Sequence, residues 1–166
     1  IMGWMVDEYA QIERRHVPGV ITGKPLGLGG SIGREEATGA GALQVLDLWV
    51  KRQHQKPEDL TVAVQGFGNA GQHFARLAHD VGYNIVALSD SQGGIYSDEG
   101  LDPSPILRHK NRTRELKGTV YCDDSVCDLA DTQSLSGDEL LELDVDVLVL
   151  AALENQITDA NADRAR

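Results

Sequence analysis

Apolar and polar positions along this chain follow a helical period in some stretches and form short unbroken apolar runs in others. From Ile1 to Arg15, the residues Met2, Met5, Val6, Tyr9 and Ile12 recur at helical offsets and predict an amphipathic helix. That helix is under way at the first residue with no cap before it, so a preceding segment is expected. His16 to Gly33 has no period and is rich in glycine, as expected of a functional connection or hinge. From Arg34 to about Arg52 the helical period returns, with Leu43, Leu46 and Val50 on one side and small Thr38-Gly39-Ala40-Gly41 in the first turns. Gln53 to Asp59, containing Pro57, links this helix to Val62–Val64, an apolar run that reads as a buried strand. Phe74, Leu77, Ala78 and Val81 then share a helix face, and Ile85 to Leu88 reads as a second strand. Gln92-Gly93-Gly94 is turn chemistry, Ile95-Tyr96 a short strand, and Pro103 to Lys110 a helix with proline near its first turn. Ser136-Gly137-Asp138-Glu139 fits the S-x-x-E capping box, Val145 to Leu150 is a further strand, and Thr158 is placed to cap a last helix. Strands alternating with helices predict an α/β fold: a doubly wound, mostly parallel sheet with helices on both faces.

The stretch that organises the rest is Thr61-Val62-Ala63-Val64-Gln65-Gly66-Phe67-Gly68-Asn69-Ala70-Gly71. Gly66, Gly68 and Gly71 have the spacing G-x-G-x-x-G between a predicted strand and a predicted helix. Gly66 permits the tight turn, Gly68 lets a pyrophosphate approach the backbone, and Gly71 lets helix and sheet pack closely. Free N–H groups at the helix start, with the dipole behind them, favour an anion there. Asp90 lies 19 positions after Gly71 at the end of the second strand. The acid that meets the adenosine ribose is expected at an offset of roughly 20. Small Ala151 and Ala152 follow the last strand, where parallel sheets place their ligand crevice.

Net charge changes this picture only at the surface. Lys+Arg number 15 against Asp+Glu 26, giving −11, which argues against a broad nucleic-acid or anionic-membrane surface. Acids recur without a cation from Gly118 to Asp163, among them Asp123, Asp124, Asp128 and Asp131. Two readings stand: a surface adapted to high salt, favoured because arginines outnumber lysines, and an ordinary acidic face. Cys122 and Cys127 are the only cysteines and lack C-x-x-C spacing, and the histidines form no i, i+4 pair, so no metal site is expected. No apolar run reaches the ~20 residues of a membrane span, and no signal peptide is visible, so the expected compartment is the cytoplasm. Lys24 is the only cation of the glycine-rich connection before Arg34; it is read either as a partner for a phosphate or acidic substrate or as a solvated lysine. Arg108, Lys110, Arg112, Arg114 and Lys117 read as a solvated helix face, with an interface role as the minority reading.

Motifs running nearly end to end give the chain a resemblance. They are Pro18-Gly19-Val20-Ile21-Thr22-Gly23-Lys24-Pro25, Gly29-Gly30-Ser31-Ile32-Gly33-Arg34, Ala37-Thr38-Gly39, the glycine turn Gln65 to Gly71, Ser89 to Tyr96, and Ala151-Ala152-Leu153-Glu154-Asn155-Gln156-Ile157. In these it resembles the coenzyme-binding domain of the hexameric glutamate dehydrogenases, within the wider Glu/Leu/Phe/Val dehydrogenases. Its acidic balance is similar to members from salt-loving archaea.

The resemblance implies a Rossmann-like domain at 34–166, preceded at 1–33 by a connecting helix and hinge from a substrate domain, the whole truncated at both ends. It implies reversible oxidative deamination of L-glutamate to 2-oxoglutarate and ammonia, with hydride passing to NAD or, alternatively, NADP. It further implies a homo-oligomer, a hexamer in the full-length family. On matching positions, Thr38 would contact the nicotinamide carboxamide. Gly66, Phe67, Gly68, Asn69, Ala70 and Gly71 would form the coenzyme loop, with Asn69 hydrogen-bonding the coenzyme. Asp90 would meet the ribose, Ala151, Ala152 and Asn155 would line the route to the nicotinamide ribose, and Arg34 would lie near substrate. The family's catalytic lysines and aspartate would precede Ile1, so no catalytic residue is assigned and the chain alone is expected to be inactive. Ala40 stands where many members carry arginine. Dehydrogenases of leucine, phenylalanine or valine, a non-catalytic dinucleotide-binding module, and more weakly an adenosylmethionine-dependent methyltransferase are the other readings.

Overall fold

The computed structural model describes residues 1–116, 121–123, 126–128 and 132–165, the strands at 121–123 and 126–128 by backbone alone. The chain divides into two compact units, Ile1–Thr38 and Gly39–Arg166.

In the first unit, α1 (Met2–Glu13) ends where Arg14 takes a left-handed conformation. The N–H groups of Arg14 and Arg15 bond back to the Gln11 and Ala10 carbonyls. Of the predicted apolar face, only Val6 is buried; Met5 and Ile12 stay exposed. The glycine-rich connection contains two short 3-10 turns, Pro18–Val20 and Leu26–Leu28. Lys24 is 8% exposed, and its ammonium donates to the carbonyls of Pro18 and Ile21. Lys24 is therefore not a solvated lysine; its ammonium is turned onto its own loop. A Cβ at Gly30 would lie 2.0 Å from the Lys24 carbonyl oxygen, so the loop closes on backbone.

Helix α2 (Ala37–Arg52) starts three residues later than expected. The second unit continues with β1 (Thr61–Gln65), α3 (Asn69–Asp80), β2 (Asn84–Asp90), β3 (Gly93–Tyr96) and α4 (Pro103–Thr113). After these come β4 (Tyr121–Asp123), β5 (Val126–Asp128), β6 (Gln133–Leu135), α5 (Gly137–Leu141) and β7 (Val147–Leu150). The main sheet has the order β6-β3-β2-β1-β7. Strand β1 is parallel to β2 and β7, whereas β3 is antiparallel to β2 and to β6, so β3 alone runs against the rest. The α/β class with a mostly parallel sheet is as expected; β4, β5 and β6 were not anticipated.

Alternation along the strands assigns the two faces. Val62, Val64, Ile85, Leu88 and Ile95 pack with Leu43 and Val50 of α2, Phe74 and Ala78 of α3, and Ile106 of α4. Ala63 and Ala87 pack instead with Leu140 of α5. The register shifts by one residue between Val62↔Ile85 and Ala63↔Ala87. That extra residue puts Ile85 and Leu88, three apart, on one face. Of the small residues in the first turns of α2, Gly39 serves packing, since a Cβ there would lie 2.5 Å from the Phe74 nitrogen of α3, whereas a Cβ at Gly41 would meet nothing within 4 Å. The buried Tyr83 hydroxyl donates to Asp47 Oδ1 at 2.8 Å, and burial, with Asp47 beside it, pushes the phenol well above its ordinary pKa. At the sheet's other end, the Thr61 N–H and hydroxyl donate to Asp146 Oδ2 at 2.8 and 2.7 Å.

Three local expectations are corrected. Gly93 and Gly94 belong to β3 rather than a turn; a Cβ at Gly94 would lie 2.7 Å from the Leu88 carbonyl oxygen and 2.8 Å from Leu135 Cδ1, so glycine lets the strands close up. Val81, expected on the buried face of α3, is 50% exposed at its C-cap. Thr158 caps no helix among the described residues; its own N–H and hydroxyl donate to Asn161 Oδ1, and turns follow. The side chains of Cys122, Cys127, Asp123 and Asp128, and the residues Asp124, Asp131 and Lys117, lie outside what is described.

Candidate functional site

Strands β1, β2 and β7 run parallel, so Gln65, Asp90 and Leu150 end at the same edge of the sheet. The chain leaves β1 for β2 on one side, while β7 lies on the other, which makes this edge the topological switch point. A hollow of about 970 Å³ opens there. Its size falls in the range of small-molecule and cofactor sites.

The glycine turn forms one wall. Gly66 has φ +96°, and a Cβ on it would lie 2.6 Å from the carbonyl group of Ala151, so turn and β7 exit are in backbone contact. The N–H groups of Gly66 and Phe67 both donate to the Ser89 carbonyl, at 2.9 and 2.7 Å, tying the turn to β2. Gly71 sits over the turn, where a Cβ would lie 1.9 Å from the Gly66 carbonyl oxygen. Gly68 differs: a Cβ there would meet nothing within 4 Å, and its backbone is extended at φ −87°, ψ −158°. It caps the 12-residue α3 without a side-chain hydrogen bond and with no acid in the first turn. By contrast, Asp102 caps α4, and Ser136 with Glu139 forms a full capping box on α5. Unlike α4 and α5, α3 begins beside the hollow with neither a side-chain cap nor a first-turn acid, a helix end whose dipole favours an anion.

The opposite wall carries polar side chains. Asp90 is 11% exposed at its side chain and accepts the Gln92 N–H at 2.9 Å. It is paired at 2.8 Å with Lys110, whose ammonium also donates to the Phe67 carbonyl at 2.8 Å. Lys110 therefore does not belong to a solvated face. It falls four residues after buried Ile106 and seven after buried Pro103, so the period of α4 carries the signal that places it on the core side. Gly137, Asp138 and Glu139 close the hollow near α5, and the Ser136 backbone N–H and hydroxyl hold the Glu139 carboxyl below its ordinary pKa. On the floor, Gln65 Nε2 donates to Gln156 Oε1 at 2.9 Å.

Of the residues singled out from sequence, Gly66, Phe67, Gly68, Asp90, Ala151 and Ala152 line this one hollow. Asn69, Ala70 and Gly71 form the first turn of α3 behind it. Asn155, in a left-handed conformation at φ 59°, lies beyond the Ala151-Ala152 stretch. Arg34 and Thr38 belong to the first unit, in the turn before α2 and in its first turn. Lys110, Ser136, Glu139 and Gln156 are lining residues the sequence reading did not single out as site residues. Among the described residues, no group of three or more His, Cys, Asp or Glu could hold a metal, and no helix is long and apolar enough to cross a membrane.

Fold and site together define a Rossmann-like α/β domain with its glycine turn at the switch point. The model of the Glutamate/Leucine/Phenylalanine/Valine dehydrogenase family matches residues 29–166, and the chain belongs to that family. It is 52% identical over 166 residues to the NADP-specific glutamate dehydrogenase of Synechocystis sp., covering 100% of this chain and 39% of that protein. It is 45% identical to the cryptic catabolic NAD-specific glutamate dehydrogenase GudB of Bacillus subtilis, covering 100% of this chain and 36% of that one. The hetero-hexameric glutamate dehydrogenase of Thermus thermophilus, in a leucine-bound crystal structure, superposes with a TM-score of 0.83 at 37% identity, over 99% of this chain and 36% of that one. The chain thus spans well under half the length of these relatives.

Proposed function

We propose that this chain is the coenzyme-binding part of a glutamate dehydrogenase, which interconverts L-glutamate with 2-oxoglutarate and ammonia using NAD(P). The observation that carries this is the open Gly68 at the uncapped start of α3, facing a hollow that also holds Asp90, Ala151 and Ala152. The hollow is large enough for a dinucleotide, and a Cβ at Gly68 would stand where a pyrophosphate approaches. The relatives' names support glutamate as substrate.

In this reading Gly68 and the N–H groups of Asn69 to Gly71 hold the pyrophosphate. The Asp90 carboxylate accepts the ribose hydroxyls, and Ala151, Ala152 and Asn155 leave the path to the nicotinamide open. When bound, the coenzyme supplies the hydride acceptor or donor. Thr38 would serve the nicotinamide carboxamide and Arg34 the substrate. No catalytic acid or base is assigned among the described residues, so the 166-residue chain by itself is expected to bind without turning over glutamate. The hexameric architecture named for the Thermus relative supports an oligomeric whole protein. A cytoplasmic setting and an acidic surface suited to high salt, with net charge −11, complete the proposal.

NAD is the preferred coenzyme in this reading. The ammonium of Lys110 is shared between Asp90 and the Phe67 carbonyl, so a 2′-phosphate must compete for it. Glu115, beside Asp90 in a smaller hollow of about 250 Å³, adds negative charge at that end. NADP is the alternative, supported by the name of the Synechocystis relative. Calorimetry with NAD and NADP on wild type and Asp90→Ser tests this. Wild type should prefer NAD, and the substitution should narrow the affinity ratio by about tenfold at low salt and less at high salt. An unchanged ratio at low salt removes Asp90 as the discriminating residue.

A further inference from the structure

Lys110 reaches the glycine turn from 43 positions away in sequence. Its Nζ lies 2.8 Å from the Phe67 carbonyl oxygen, 2.8 Å from Asp90 Oδ2 and 5.6 Å from the centre of the Phe67 ring. The other side of the same turn is tied down by the Gly66 and Phe67 N–H groups on the Ser89 carbonyl. A trans peptide holds its C=O and the following N–H antiparallel. Whatever grips the Phe67 carbonyl therefore sets the direction of the Gly68 N–H, the donor at the mouth of α3.

We propose that Lys110 is a positioning residue of this site: it orients the Phe67–Gly68 peptide so that the Gly68 N–H is set for a pyrophosphate before the coenzyme arrives. Asp90 keeps the ammonium in place from the other side. Both groups are largely shielded, with side-chain exposures of 22% for Lys110 and 11% for Asp90, so the arrangement is not a mobile surface pair. This inference rests on the dinucleotide reading of the hollow, and it extends that reading to a residue on α4. The effect falls on the pyrophosphate end, which NAD and NADP share. It is therefore separate from any contact between Lys110 and a 2′-phosphate.

The test is NAD affinity by calorimetry on the 166-residue chain, since NAD carries no 2′-phosphate. Wild type is compared with Lys110→Met, Lys110→Arg, Asp90→Asn and the double variant Asp90→Asn/Lys110→Met, with melting temperatures as the check on folding. Lys110→Met should weaken NAD by about tenfold, the scale of one hydrogen bond from a charged donor. The loss should persist in the Asp90→Asn background, where the ion pair no longer exists, and Lys110→Arg should restore most of the affinity. The amide resonance of Gly68 in the coenzyme-free chain should shift in Lys110→Met and return towards wild type in Lys110→Arg. If Lys110→Met does not fold, Lys110→Gln takes its place. Unchanged NAD affinity, or a loss that vanishes once Asp90 is neutral, overturns the positioning role while leaving the dinucleotide reading intact. A wild-type chain that binds no NAD overturns both.

Discussion

Two glycine-rich loops, one in each unit, hold a lysine ammonium against backbone carbonyl oxygen, yet only the second lines the large hollow. In the loop of residues 16–33, Lys24 is buried and both its acceptors belong to that loop. Gly19, Gly27 and Gly33 are as open as Gly68, but Gly19 and Gly27 each sit in a three-residue 3-10 turn and Gly33, at φ +79°, lies in the turn before α2 rather than at its start. In the turn Gln65–Gly71, the open glycine stands before a 12-residue α-helix that has no side-chain cap. Glycine content and a nearby lysine are not enough for the proposed phosphate seat. That proposal needs open backbone at the start of a helix of several turns, where N–H groups and an aligned dipole point the same way.

The sharpest way to break this comparison is to fill the glycines that close each loop. Gly71→Ala and Gly30→Ala would each drive a Cβ to about 2 Å from a backbone oxygen, on Gly66 and Lys24 respectively. Neither oxygen is the end of a flexible side chain, so each substitution should cost about 3 kcal/mol or more. Denaturant unfolding monitored separately in the two units should show Gly71→Ala acting on the second and Gly30→Ala on the first. A loss of under 1 kcal/mol in either, as an order of magnitude, would mean that the loop relaxes and is not packed as described. Next in size, Lys24→Met removes a charged donor from two carbonyls, at a cost of about 1.5–3 kcal/mol for hydrogen bonds of this kind. Proteolysis of the first unit should accelerate while NAD affinity stays as in wild type. A large loss of NAD affinity would restore Lys24 as a ligand residue.

The smallest expected effect lies away from both loops. Thr61 holds the Asp146 carboxyl below its ordinary pKa, chiefly through its backbone N–H and then its hydroxyl. A lowered folded-state pKa gives stability that is present above the ordinary carboxylate value and is lost as pH falls through the lowered one. Thr61→Val removes the hydroxyl donor and should cost about 1 kcal/mol or less near neutral pH. That cost should shrink on acidification through the carboxylate range. A pH-independent cost would place the effect in packing instead.

Much of the second unit was legible because burial there follows one period at a time. Val62–Val64, the α3 face carrying Phe74 and Ala78, and Ile85–Leu88 each read as buried, and each is. Strand β6, Gln133-Ser134-Leu135, was not legible, since three residues with one apolar side chain carry no alternation. The glycines of β3 read as a turn because their reason lies across the sheet, in the close approach of Leu88 and Leu135. Asp90 was placed by its offset from the glycine turn, but its partner Lys110 was masked by neighbouring cations on α4. The helical step from Pro103 and Ile106 points Lys110 inwards, yet only the tertiary contact shows what it meets. Lys24 was ambiguous for the same reason: a lysine among glycines has no sequence mark for carbonyls that only the folded loop assembles.

The central claim is that the turn at Gly68 seats the pyrophosphate of a dinucleotide. Its most direct test is calorimetric titration of NAD into the 166-residue chain and into Gly68→Val, with melting temperatures alongside. Valine is compatible with the extended backbone at Gly68, and its side chain would meet no protein atom within 4 Å at Cβ, so the fold should survive. The account predicts a melting temperature close to wild type and an affinity lower by about 100-fold, the loss of two charge-assisted hydrogen bonds. A folded Gly68→Val chain that binds NAD as tightly as wild type would contradict it.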